Sequence, residues 1–321
     1  MNSKPLASSA VIIFNPFAGR GKAPNIARKA RTHLEQSGWE VKSVIATAYA
    51  GHTEKVLASE WGKKVQLIVL VGGDGTLREL VAGLWAVKLE TEIGFIPMGN
   101  ANVVARELNI PLKPERAIKL LTTGESKKID ICVLKQKDEQ GLIFLAMLEI
   151  GFGAKVVQFA DQLRNGALKA LYQLWGDLVY AIAGALALRG MKSEYFTAAV
   201  EQTDETALPS ATISSSHCVI ANMQTYAKGW SLTPDAKCDD GLIDIAISKK
   251  SNAWSIISTF LAASKKRKLK PSLMSYQQTK HVSISSHSSL FVQVDGDPIS
   301  FSGEADICIE REAFSIRVNA S

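Results

Sequence analysis

The residues best suited to chemistry lie in short turns after apolar runs. The stretch VLVGGDGTLREL, 69–80, sets Gly72, Gly73, Asp74, Gly75 and Thr76 between a strand-like run and a helix-like one. Glycines there admit positive φ and let a ligand come close to the backbone. The free N–H groups at the start of a helix suit an anion such as phosphate. An aspartate would repel that phosphate unless it holds a bridging Mg²⁺ or polarises a hydroxyl. The plainer alternative is a tight strand–helix turn with Asp74 as N-cap.

Two further turns have the same setting. FNPFAGRGK, 14–22, follows the first apolar run, and PMGNANVVAREL, 97–108, follows the fourth. In an open α/β sheet, ligands bind outside the carboxyl ends of the strands. Three such turns on one edge predict a nucleotide site. Neither G-x-G-x-x-G nor G-x-x-x-x-G-K-[ST] occurs, which disfavours a nicotinamide fold and a P-loop.

These turns need a scaffold. Strands are predicted over 10–16, 40–46, 67–72 and 92–97, alternating with helices over 26–36, 54–63, 77–87 and 115–122. Near-continuous apolar strands between helices predict a parallel sheet covered on both faces. From about Lys127 the pattern changes to strand after strand: KKIDICVLK, GLIFLAMLEI, SEYFTAAVE, ATISSSHCVIANM, GLIDIAISK, HVSISSH and LFVQVDGDP. Helical insertions are predicted over 167–189 and 253–266. The expected fold class is therefore α/β plus β. An N-terminal α/β nucleotide-binding domain spans 1–126, with 305–321 available to complete it, and a C-terminal β sandwich spans 127–304. The run AFSIRVN, 313–319, fits either domain.

Bulk properties narrow the partners. The 321 residues are 46% hydrophobic, enough for a buried core, and the net charge of +6 suggests anionic partners. No nucleic-acid module or basic-aromatic stripe is present, so no nucleic-acid partner is expected. Cys132, Cys218, Cys238 and Cys308 are far apart and read as reduced thiols of a cytosolic protein. No apolar stretch reaches the ~20 residues of a membrane span. The segment 167–189 is apolar almost all round, as a helix over a lipid groove or one buried in the second domain would be. Lys265, Lys266, Arg267, Lys268 and Lys270 follow a helix bearing Trp254, Ile256, Ile257, Phe260 and Leu261. Reversible peripheral contact with an anionic membrane is the expectation there. Exposed edge strands of the β domain offer a route to a homodimer.

Taken in order and spacing, the motifs resemble the diacylglycerol kinase catalytic family, which includes bacterial lipid kinases and sphingosine and ceramide kinases. Five stretches carry the resemblance: 15–19 (NPFAG); 72–76 (GGDGT) with Glu79; 97–102 (PMGNAN) with Ala105 and Arg106; 234–241 (PDAKCDDG); and 295–298 (DGDP). It implies ATP as donor, a lipid alcohol such as diacylglycerol as acceptor, and an N-terminal domain like that of NAD kinases. Nucleotide contacts would fall on Asn15, Pro16, Phe17, Ala18, Gly19, Thr47, Gly72, Gly73, Asp74, Gly75, Thr76, Glu79, Asn100 and Asn102. A structural Mg²⁺ would be held by Asp240 and the carbonyls of Lys237 and Leu242. The proton acceptor would fall on Asp297, with Asp74 as competitor, and both acids are expected at the cleft between the domains.

Two departures stand out. The family's Gly-Thr-x-Asn-Asp is Gly99-Asn100-Ala101-Asn102-Val103 here, and its Asp-Gly-Glu ends in Asp297, one methylene shorter. Those departures leave open a nucleotide- or lipid-binding regulator with little catalysis. NAD kinase shares the Gly-Gly-Asp-Gly signature, but its Gly-Ser-Thr-Ala-Tyr stretch is missing here.

Overall fold

Alternation of apolar residues buried on both sides makes the first sheet. The structure is a computed structural model. It describes residues 8–49, 51–58, 65–136, 141–165, 182–184, 186–187, 195–200, 211–226, 229–250, 252–265, 267 and 270–320. The chain divides into two units, Met1–Asp130 with Arg311–Ser321, and Ile131–Glu310.

In the first unit, β1 (Ser9–Phe14), α1 (Ala18–Gly21), α2 (Ala23–Gln36), β2 (Glu40–Ala46), α3 (His52–Ala58), β3 (Leu67–Gly72), α4 (Asp74–Val87), β4 (Glu92–Pro97), α5 (Val103–Glu107) and α6 (Pro114–Thr123) alternate. The strands are parallel in the order β2-β1-β3-β4. Ile12, Val69 and Ile96 pack with Ile26, Ala30 and Leu34 of α2 and Ile118 and Leu121 of α6. The intervening Ile13, Leu70 and Phe95 are just as buried, as a sheet covered on both faces requires. Two helix starts come three residues earlier than expected: α2 begins at Ala23, because Pro24 suits the first turn, and α4 begins at Asp74.

The second unit holds β5 (Glu125–Gln136) from Ile131 onward, then β6 (Leu142–Phe144), β7 (Met147–Ile150), α7 (Phe152–Asn165), β8 (Phe196–Val200), β9 (Ala211–Ser215), β10 (Cys218–Ala221), β11 (Ile243–Ser248), α8 (Ala253–Ser264), β12 (Met274–Thr279), β13 (His281–Val294) and the start of β14 (Asp297–Val318). Its pairings are antiparallel, with β12-β11-β10-β7-β13 in one run and β8 and β9 attached to another part of β13. Residues of β5–β8, β10, β11, β13 and β14 share one apolar core, the inside of a sandwich.

HVSISSH and LFVQVDGDP, expected as two strands, are one. Its register breaks between Ser286 and Leu290; the part before pairs with β8 and the part after with β7. The end of β14 is in the first unit, where Ser315 and Ile316 run parallel to Glu92 and Ile93 of β4. Of the four cysteines, all but Cys308 are buried. Of the predicted helix 167–189, only 182–184 and 186–187 are described, as helix. Residues 59–63, Lys266 and Lys268 lie outside the described residues.

Candidate functional site

Neighbouring parallel strands end level with one another. Phe14 pairs with Val71, and Gly72 with Pro97, so three loops leave the sheet side by side. Main-chain hydrogen bonds join them. Asn15 N–H donates to the Val71 carbonyl at 3.0 Å, Met98 N–H to Gly72 at 2.7 Å and Gly19 N–H to Met98 at 2.9 Å. Thr47 N–H donates to the Phe14 carbonyl at 2.9 Å and brings in the loop after β2. Residues 15–19, Thr47, 72–76 and 97–102 therefore line one rim, with Glu79 just over one turn into α4.

The glycines act differently from the expectation of positive φ at 72–75. None of Gly72, Gly73 and Gly75 is in that region, and Gly73 is extended at φ −103 and ψ −178. Close approach is the reason for two glycines. A Cβ on Gly99 would lie 2.8 Å from the Gly73 Cα, and one on Gly73 would lie 3.2 Å from the Gly99 Cα. Backbone against backbone cannot yield, so only this pair lets the two loops touch. Gly73 is also the N-cap of α4 and offers no side chain to the N–H groups of its first turn.

Asp74 is the first residue of α4 and not its cap. Its carboxylate accepts from Val104 N–H at 3.2 Å, at the start of α5. Burial pushes the carboxyl above its ordinary value, and the peptide N–H groups of Val103, Val104 and Asn102 pull the other way. Asn102, at φ 47, accepts from Gly99 N–H at 2.8 Å and donates to the Gly99 carbonyl at 2.9 Å, so its amide clamps its own loop. Asn100 is exposed on that loop. Asn15 accepts from Phe17 N–H at 3.0 Å, which shapes the first loop, and Phe17 is 84% exposed.

The remaining expected residues lie in the second unit. Asp240 accepts from Leu242 N–H at 3.0 Å across Gly241, and Lys237 is exposed. Asp244 lies nearby. Burial pushes its carboxyl up to about 6, Gln278 opposes this, and the charge on Asp240 adds to the rise. Among the described residues, no three His, Cys, Asp or Glu side chains cluster as a metal site. The expected set is one carboxylate with two carbonyls.

Asp297, exposed, begins β14 opposite Val294, across the Asp295-Gly296 turn. Asp295 holds that turn. Its carboxylate accepts from the N–H groups of Leu145, Ala146 and Met147 at 2.8, 2.9 and 3.0 Å. This grip splits GLIFLAMLEI, expected as one strand, into β6 and β7. Gly296 N–H donates to Gln293 Oε1 at 2.7 Å, and Gln293 Nε2 donates to Glu149 Oε2 at 3.1 Å. Tyr226 donates its hydroxyl to the same Glu149 oxygen at 2.9 Å. Burial pushes the Glu149 carboxyl up to about 7 and the neighbouring His217 imidazole down to about 4. Sequence reasoning passed over Glu149 and Gln293 and gave His217 no role. The available signal was a lone carboxylate inside LAMLEIGF, because a buried acid must find partners.

Comparison with known proteins accords with this architecture. Residues 9–134 match the family model described as the diacylglycerol kinase catalytic domain. Residues 147–308 match the one described as the YegS C-terminal NAD kinase beta sandwich-like domain. A diacylglycerol kinase of Staphylococcus epidermidis is 28% identical over 290 residues, covering 89% of this chain and 84% of the relative. One from Staphylococcus saprophyticus is 26% identical over 286 residues, covering 89% and 88%. A crystal structure from Bacillus anthracis superposes with a TM-score of 0.75 at 22% identity, covering 99% of this chain and 97% of the other. A second from that organism, described as a diacylglycerol kinase, gives 0.70 at 18% identity, with 98% of each covered. These two structures bear on the fold alone. The chain belongs to the diacylglycerol kinase catalytic family and is a phosphotransferase with an alcohol group as acceptor.

Proposed function

We propose that the protein transfers the γ-phosphate of ATP to the hydroxyl of a lipid alcohol, diacylglycerol or a close analogue, at a membrane surface. One observation carries this reading: loops from neighbouring strand ends are tied by main-chain hydrogen bonds around the open first turn of α4. Phosphoryl transfer needs placement and charge neutralisation more than covalent help. A rim of N–H groups at a helix start answers that need for a polyphosphate.

Asp297 is the proposed base, orienting the acceptor hydroxyl and taking its proton as the oxygen attacks phosphorus. Asp74 is the weaker candidate, because its carboxylate already holds the start of α5. Mg²⁺ fits the oxygen donors offered by Asp240 and the carbonyls of Lys237 and Leu242. The charge of Asp240 adds to the rise at Asp244, so a cation there would relieve negative potential. Mg²⁺ bound with the nucleotide neutralises charge on the phosphates; the chain's own loops fix where those phosphates lie.

The test is purified protein with radiolabelled ATP, magnesium and diacylglycerol in mixed micelles, with a crude lipid extract in parallel. Label should move into the organic phase as a phosphorylated lipid. ATP binding by calorimetry without any labelled lipid would sink the lipid-acceptor reading. Failure to bind ATP would sink the nucleotide reading as well.

A further inference from the structure

Helix α8 exposes an apolar stripe. Among its described side chains, Ser255, Ile256, Thr259 and Ala263 are buried, two of them hydroxyl side chains, and the Ser255 hydroxyl has no hydrogen-bond partner. Three large apolar groups face outward: Trp254 is 74% exposed, Ile257 39% and Leu261 58%. Their i, i+3, i+7 spacing makes one stripe along the helix. A helix serving only its own core would not expose three such groups on one stripe.

Charge is concentrated around the same helix. Residues 249–270 carry seven of the chain's 37 Lys and Arg and none of its 31 Asp and Glu. The whole positive excess therefore resides in this segment, since the rest of the chain holds 30 cations against 31 acids. Lys249 and Lys250 precede the stripe; Lys265, Arg267 and Lys270 follow it, and all five are exposed. A second copy of the chain would bring cations against cations. An anionic bilayer offers apolar depth for Trp254, Ile257 and Leu261 and negative headgroups for the flanking charges.

We propose that α8 and its flanks form the membrane-docking element of this protein, lying in the plane of an anionic lipid surface with its outward stripe inserted. The proposal rests on the helix and its flanks, not on the nucleotide rim. Binding is read without ATP, so its failure leaves the lipid-kinase reading standing.

The experiment is flotation of the full chain with vesicles of phosphatidylglycerol and phosphatidylcholine, against phosphatidylcholine alone. The wild type should float with the anionic vesicles. Trp254→Gln with Leu261→Gln should weaken that binding at least about tenfold. Lys265→Gln, Arg267→Gln and Lys270→Gln together should remove the preference for anionic lipid and bring the salt dependence down with it. All five positions are exposed, so both variants should fold and retain phosphorylation of a detergent-dispersed acceptor. Vesicle binding equal to wild type in the Trp254/Leu261 variant overturns the proposal. So does a dimer in sedimentation velocity that this variant dissolves, since the stripe would then be a contact between copies.

Discussion

The two units build their polar sites from opposite materials. In the first, the rim is main chain: N–H groups and carbonyls of residues 15–19, 47, 72–73 and 97–99 bond to one another, and side chains mostly brace the loops. In the second, side chains carry the network. Asp295 holds β6 and β7, while Glu149, Gln293 and Tyr226 form a buried chain leading to the turn before Asp297. The main-chain hydrogen bonds of the rim do not titrate, but they are intolerant of an added Cβ at a close approach. A network of buried carboxyls has the reverse sensitivities.

Asp297→Asn is the most severe way to test that division. If the base lies in the second unit, kcat should fall about 10²–10⁴-fold, with ATP affinity unchanged because the rim is untouched. Retained kcat would transfer the role to Asp74.

Next comes the buried acid. Glu149 keeps its proton in the folded state up to about pH 7, whereas its ordinary value is 4.5. Between those values the unfolded chain is ionised and the folded chain is not, so this group lowers stability as pH rises. His217, depressed to about 4 from 6.5, acts in the opposite direction: its contribution is lost as pH falls through that window. In the wild type the two slopes oppose each other. Relative to wild type, Glu149→Gln should gain about 1.4 kcal/mol of unfolding free energy per pH unit from about 4.5 to 7. A difference that stays flat in urea titrations across that range would refute it.

The mildest pair concerns two glycines of the rim. Gly99→Ala drives a Cβ onto the Gly73 backbone and should cost about 1–3 kcal/mol. Gly75→Ala meets nothing within 4 Å, and alanine suits a helix, so stability should stay within about 1 kcal/mol of wild type. Loss of ATP affinity in Gly75→Ala at unchanged stability would mark a ligand approaching that bare Cα. Unchanged affinity would show that Gly75 is not in contact with the phosphates.

Some of this was legible in the sequence because it is local. Alternating apolar runs and helices announced a parallel sheet, and strand-rich sequence after Lys127 announced the antiparallel sandwich. Other features join residues far apart along the chain. Leu145 and Asp295 are 150 positions apart, and Glu149 and Gln293 are 144 apart. No window containing one member shows the other. GLIFLAMLEI therefore looked like one strand, and β13 looked like two.

By itself the sequence determined the fold class and the turns that could bear chemistry, since periodicity and turn residues act within a few positions. Tertiary structure alone decided that Gly73 and Gly99 exist for each other, that Asp74 braces α5, and that Asn102 clamps its own loop. It alone decided that AFSIRVN extends the first sheet and that Trp254, Ile257 and Leu261 face outward. The reason is physical: burial, close approach and hydrogen-bond partnership belong to pairs of segments, and a pair exists only once the chain has folded.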